Sequence, residues 1–219
     1  MEKDFGRELV LQSAKYLLNK GLILGSLGNI SCRLDRQTML ITPSGRKYTD
    51  LQATEIIAVN LETLVYEGKI RPSSEFKLHA AIYHERPDIK AIVHTHQPCA
   101  SVMAAAHREL PPFLDDMVQV IGPSVRLAPY AQSGSNAMIV NTIKALDKRF
   151  AALLANHGAI CIGRDMDEAI LACEVLEKAS RVFIEAEAVG GIKMIDKPEA
   201  LLIRQHYLDK YSQLKNENR

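Results

Sequence analysis

The sequence predicts an α/β protein, with a mixed, largely antiparallel sheet covered by helices. Three observations lead there. Short apolar runs alternate with stretches of helical periodicity along the chain. Several runs are joined by turns too short for a crossover helix, so those strands pair antiparallel. No linker, repeat or low-complexity segment divides the 219 residues, so residues 1–219 are read as one domain.

Residues 4–20 place Phe5, Leu9, Ala14, Leu17 and Leu18 at helical spacing, with Gly21 as the cap. The glycine-rich passage Gly25-Ser26-Leu27-Gly28-Asn29 leads into a strand over Ile30–Leu34. A turn at Asp35–Gln37, a strand over Thr38–Thr42 and a turn at Pro43-Ser44-Gly45 follow. Ile56–Asn60 reads as a further strand. Pro72-Ser73-Ser74-Glu75 reads as a helix start, with a serine N-cap and an acid in the first turn. Phe76, His79, Ala80 and Tyr83 form one face of that helix, and Arg86-Pro87-Asp88 ends it. A buried strand over 91–95 precedes an alanine-rich helix around Ala100–Ala106. Ala151–Ala155 is a second buried strand, Met166–Val189 a long helix, and the tail from about residue 199 to 219 is helical.

The bulk numbers exclude several classes. Net charge is +1, so no electrostatic case exists for nucleic acid or a membrane surface. No apolar run reaches the length of a membrane span, and the first residues do not form a signal-peptide core. A cytoplasmic location is expected. Cys32, Cys99, Cys161 and Cys173 lie far apart with no C-x-x-C pair, which reads as reduced packing thiols. There is no G-x-G-x-x-G, P-loop or H-E-x-x-H pattern.

The strongest chemical signal is Ala91-Ile92-Val93-His94-Thr95-His96. Strand side chains alternate, so His94 and His96 point the same way from the end of a buried strand. Two adjacent imidazoles suit a transition metal better than a core. His157 also follows an apolar strand, in Asn156-His157-Gly158, and Glu75 stands at a helix start. Three histidines with one open position describe a catalytic metal site, and a nearby carboxylate can serve as ligand or general base. Gly28-Asn29, Ser44-Gly45 and Ser73-Ser74 are small polar turns of the kind that cradle phosphate. The residues alone reach a metal-dependent enzyme acting on a small phosphorylated substrate. Lone histidines such as His79, His84, His107 and His206 read as packing or surface residues.

Five ordered motifs carry a resemblance: Gly28-Asn29-Ile30-Ser31, Thr42-Pro43-Ser44-Gly45, Ser73-Ser74-Glu75, His94-Thr95-His96 and Asn156-His157-Gly158. In this order they resemble the class II aldolase and adducin head-domain family, from the first helix to about residue 190. Within it the chain is most similar to members that cleave L-fuculose 1-phosphate. The resemblance implies a single-domain α/β/α sandwich, a homotetramer with sites at subunit interfaces, and Zn2+ (or Mn2+ or Co2+) on His94, His96, His157 and Glu75. Glu75 matches the catalytic acid/base, and Gly28, Asn29, Ser44, Gly45, Ser73 and Ser74 match phosphate-binding positions. The implied reaction is reversible cleavage of a ketose 1-phosphate, L-fuculose 1-phosphate or a 5-deoxypentulose 1-phosphate, to dihydroxyacetone phosphate and an aldehyde.

Two departures bear on specificity. Asp116 stands where the fuculose-phosphate-cleaving members carry a tyrosine. Their tail tyrosine, a proton donor to a neighbouring subunit, corresponds here to Tyr207 or Tyr211. Three further family activities share the fold: a sugar-phosphate dehydratase, a decarboxylase and a 4-epimerase. The epimerases carry aspartate at the Glu75 position. An adducin-like interaction head would have lost the metal ligands. A metal hydrolase would need a different continuation than Gln97-Pro98-Cys99 after His96.

Overall fold

The computed structural model describes residues 1–217. Seven strands form one sheet in the order β3-β2-β1-β4-β7-β6-β5. They are β1 (Asn29–Arg33), β2 (Thr38–Ile41), β3 (Ile57–Asn60), β4 (Ala91–Thr95), β5 (Arg126–Ala128), β6 (Ala151–Leu154) and β7 (Gly158–Gly163). The helices are α1 (Lys3–Asn19), α2 (Phe76–Glu85), α3 (Pro98–Ala105), α4 (Asp115–Val120), α5 (Asn136–Leu146), α6 (Met166–Glu187) and α7 (Lys197–Glu217). Every neighbouring strand pair is antiparallel except β5 with β6. The mixed, largely antiparallel sheet is the one the sequence predicts.

Side-chain alternation sorts residues to the two faces of this sheet. On β1, Cys32 turns toward α1, with its sulfur 3.7 Å from the Gly6 carbonyl. Asn29, Ser31 and Arg33 turn the other way and meet α2. On β4, Thr95 faces α6 through Gln97, whose amide donates to the Cys173 carbonyl at 3.1 Å. His94 points to the opposite face, the side of α2. Asn29 and His94 are direct partners across the β1–β4 ladder, so that face brings them together.

Helix ends follow local chemistry. Past α1, Gly21 takes φ 70°. There the Leu22 N–H reaches the Leu17 carbonyl and the Gly21 N–H the Leu18 carbonyl, both at 3.0 Å, closing a Schellman end. Ser135 caps α5 through the Met138 N–H at 3.2 Å, and Asp165 caps α6 through the Glu168 N–H at 2.8 Å. The start of α2 departs from expectation. Its N-cap is Glu75, with no side-chain capping bond, and neither serine occupies that position. Ser73 instead accepts the Glu75 N–H at 3.3 Å. The reason is that the Glu75 carboxylate turns inward, away from the helix end.

Four elements escape the sequence reading: α4, β5, α5 and β7. Strand β5 has three residues and α4 six, too short for a periodic signal. Strand β7, Gly158–Gly163, is buried throughout and shows no alternation. The expected helical tail is α7, beginning at Lys197. Residues 218 and 219 of that expectation lie outside the described residues. Among the described residues, no helix is long and apolar enough to cross a membrane.

The core beneath α2 makes stability depend on pH. Burial pushes the fully enclosed His79 imidazole from an ordinary 6.5 down to about 3. Native His79 is neutral where the unfolded chain takes up a proton, so the unfolded state binds more protons below about pH 6.5. The stability is therefore present above pH 6.5 and lost as pH falls toward 3. Chemical denaturation should show a lower midpoint at about pH 4 than at about pH 7. His79→Asn should reduce that dependence, leaving the share that the lowered His94 and His96 contribute. An unchanged slope would mean that His79 does not set it.

Candidate metal centre

The turn between β6 and β7 and the end of β4 lie side by side, because β4 pairs with β7 and Thr95 stands opposite Ala159. His94, His96 and His157 converge there, with ligand atoms all within 4.8 Å of one another. The Nε2 atoms of His94 and His96 are 2.9 Å apart, and those of His94 and His157 are 3.3 Å apart. Nitrogens held at 2.0–2.1 Å by one tetrahedral ion stand about 3.3 Å from each other.

The protonation pattern fits the same conclusion. His94 Nδ1 lies 2.9 Å from the Ala159 carbonyl, which can only accept, so the ring donates there. Burial pushes the His94 imidazole down to about 4, and burial also lowers His96. At neutral pH the His94 Nε2 is therefore a bare lone pair. It faces two other ring nitrogens and the Glu75 Oε2 at 3.4 Å, while Glu75 Oε1 lies 3.6 Å from His157 Nε2. Three ring nitrogens and a carboxylate converging on one point fit a divalent metal.

Glu75 is 3% exposed. Burial disfavours its charged form, but His94, Asn29, Ser133 and His157 outweigh this and hold the carboxyl below the usual range. Asn29 Nδ2 donates to Oε2 at 2.9 Å and Ser133 Oγ to Oε1 at 2.8 Å. Each carboxylate oxygen thus has one protein donor and one histidine neighbour. Ser133 is absent from the sequence-level candidates. Its only signal is the small polar turn Gln132-Ser133-Gly134-Ser135, of the same kind as the phosphate-type turns.

Those turns are tied together next to Glu75. Ser44 N–H bonds the Arg71 carbonyl and Ser73 N–H the Thr42 carbonyl, both at 3.0 Å. Tyr48 OH donates to the Gly28 carbonyl at 2.7 Å. Ser44, Gly45 and Ser74 remain exposed, and Gly28 half-buried. Asn29 Oδ1 is buried without a hydrogen-bond partner among the described residues. Gly28 has φ 93°, and a Cβ there would lie 2.6 Å from the His94 carbonyl oxygen. Only glycine lets this loop approach the ligand strand.

Such a site, on such a fold, can be compared with known proteins. The pattern of the Class II Aldolase and Adducin N-terminal domain matches residues 8–184. The chain belongs to that family. This class II aldolase-family chain is 33% identical over 194 residues to a 5-deoxy-D-ribulose 1-phosphate aldolase of Bacillus thuringiensis, covering 88% of the chain and 91% of the relative. It is 37% identical over 176 residues to a 5-methylthioribulose-1-phosphate/5-deoxyribulose-1-phosphate aldolase of Rhodospirillum rubrum, covering 80% and 79%. A solved L-fuculose 1-phosphate aldolase superimposes with a TM-score of 0.88 at 30% identity, covering 93% of this chain and 96% of that one.

Two expected site residues, Tyr207 and Tyr211, and the departing position Asp116 are engaged elsewhere in this family member. Asp116, in the first turn of α4, pairs with Lys178 of α6. Tyr207 OH donates to Glu168 at 3.3 Å and Tyr211 OH to Asp165 at 2.7 Å. Asp165 and Glu168 follow the Gly163 end of β7, whereas the histidines gather at its Gly158 end. Within this chain, the tail tyrosines do not reach the metal centre.

One prediction tests how tightly the centre is built. A Cβ on Gly158 would lie 2.4 Å from the Thr95 carbonyl oxygen and 2.7 Å from His96 Cδ2. Gly158→Ala must push back β4 and the His96 ring. Overpacking of this kind costs about 1–3 kcal/mol. Metal titration should show weaker binding than in the wild type. Wild-type affinity in Gly158→Ala would mean the ring tolerates displacement.

Proposed function

We propose that the protein is a zinc-dependent aldolase. It splits a 5-deoxypentulose 1-phosphate reversibly into dihydroxyacetone phosphate and an aldehyde. The observation that carries this is the convergence of three imidazole nitrogens and one carboxylate beside turns whose Ser44, Gly45 and Ser74 are exposed. Three imidazole nitrogen donors with a position left over favour zinc, with manganese or cobalt as substitutes. Relatives named for 5-deoxyribulose 1-phosphate chemistry support the substrate, as does Asp116 in place of the tyrosine of fuculose-phosphate-cleaving members. The same reading makes the protein a cytoplasmic homotetramer whose partner is a small phosphorylated sugar.

When bound on His94, His96 and His157, the ion supplies a Lewis acid that withdraws electron density from the substrate carbonyl. The chain's own residues do the rest. Gly28, Asn29, Ser44, Gly45, Ser73 and Ser74 bind the phosphate through N–H and hydroxyl groups. In cleavage the Glu75 carboxylate takes the C4 hydroxyl proton. The C3–C4 bond breaks with its electron pair left on carbon 3 while C4 leaves as the aldehyde, and Glu75 returns that proton to carbon 3. In the reverse direction Glu75, ionised at neutral pH, removes it. Asn29 and Ser133 keep the carboxylate aimed. Tyr207 and Tyr211 are engaged by α6 in their own subunit, so the proposal assigns them no step there.

The test is release of dihydroxyacetone phosphate by the zinc-loaded protein from a panel of ketose 1-phosphates that includes L-fuculose 1-phosphate. Release abolished by a chelator, fastest with the 5-deoxypentulose, is the expected result. Loss of water or carbon dioxide without triose phosphate would replace the aldolase with a dehydratase or decarboxylase.

A further inference from the structure

Glu75, His79 and Tyr83 recur every four residues along α2, and Asn29, Ser31 and Arg33 every two along β1. Four helical residues rise about 6.0 Å and two strand residues about 6.6 Å, so the two rows advance nearly in step. They meet rung by rung. Asn29 Nδ2 donates to Glu75 Oε2 at 2.9 Å. Ser31 Oγ is 2.7 Å from His79 Nδ1 and 2.9 Å from Tyr83 OH. Arg33 donates to the Tyr83 carbonyl and lies 4.8 Å over its ring.

The middle rung has no exposure: Ser31, His79 and Tyr83 are each at 0%. An apolar interface would pack there without the cost of burying three polar side chains. His79 Nε2 even lacks a hydrogen-bond partner among the described residues. Apolar side chains slide past each other with little penalty, whereas a shared hydroxyl admits one register. The only catalytic group on α2 is Glu75, at its first rung, and its own side chain does not cap that end of the helix.

We propose that Ser31 and His79, with Tyr83, are positioning residues: their buried contact sets the register of α2 on β1 and so places the Glu75 carboxylate against the metal histidines. This rests on the aldolase reading for its kinetic consequence, though not for its structural one.

The experiment compares Ser31→Ala, His79→Leu and His79→Asn in the zinc-loaded protein. Asparagine can reproduce a hydrogen bond at the Nδ1 position; leucine cannot. In Ser31→Ala and His79→Leu, kcat should fall about tenfold to a hundredfold, the scale on which catalytic groups misplaced by about 1 Å lose rate. KM should move much less, and zinc stoichiometry should not change. Crystal structures of both should show the carboxylate displaced from Asn29 and His94. His79→Asn should restore position and rate together. A carboxylate unmoved in both stripped variants overturns the proposal, and so does a rate loss that His79→Asn fails to recover. If the wild type yields no triose phosphate, the aldolase reading fails, while the crystallographic comparison still decides the register. Should His79→Leu not fold, the smaller Ser31→Ala change carries both readouts.

Discussion

Glu75→Gln is expected to retain its zinc and to lose turnover on the order of a hundredfold to ten-thousandfold, the range of a general acid–base residue. The substitution is close to isosteric. It leaves Oε1 as acceptor for Ser133 or Asn29 and leaves all three imidazoles in place. What it removes is the ability to take up and return a proton. The clean readout is the exchange of solvent deuterium into dihydroxyacetone phosphate alone, which isolates the proton step from carbon–carbon cleavage. Exchange that continues at the wild-type rate would remove Glu75 from the proposed role. Zinc lost along with activity would make Glu75 a metal ligand first.

His94→Ala is expected to lose the metal and every metal-dependent rate together. Its Nε2 is the shared neighbour of His96, His157 and Glu75, so the other ligands are arranged around it. Loss of a group that merely orients a ligand costs about ten- to a hundredfold in metal affinity, and loss of a direct ligand costs more. The Ala159 carbonyl also loses its buried donor, worth about 1–3 kcal/mol. His96→Ala lacks that second penalty, because His96 is only half-buried. Metal analysis and thermal denaturation of the two variants should therefore agree on metal and differ on stability. Zinc retained at full stoichiometry by His94→Ala would place the ion elsewhere.

The metal histidines were legible because their signal is local. A strand with two histidines at spacing two can place them on one face only, and His157 sits on a turn that ends another apolar run. Glu75 was legible as a carboxylate near a helix start, but for the wrong local reason. Its position suggests an acid in the first turn, whereas it is the N-cap and turns inward. Long-range pairings were not legible. Ser133 meets Glu75 across 58 residues and Asn29 meets it across 46, and no periodicity reports such a partner. His79 read as a packing histidine and is indeed buried, yet its bond to Ser31 on β1 gives it a second meaning. The short elements α4 and β5 were lost for lack of length.

The ligand set also orders events in time. His94 and His157 are separated by 63 residues and come together only when β7 docks on β4. Closing so long a loop is paid in chain entropy before any contact rewards it. Until that docking the chain holds one pair of imidazoles, His94 and His96, and no third. The sheet has to assemble across its middle first, and the ion enters a finished pocket. Metal supplied during refolding should leave the folding rate unchanged and bind in a separate, later phase.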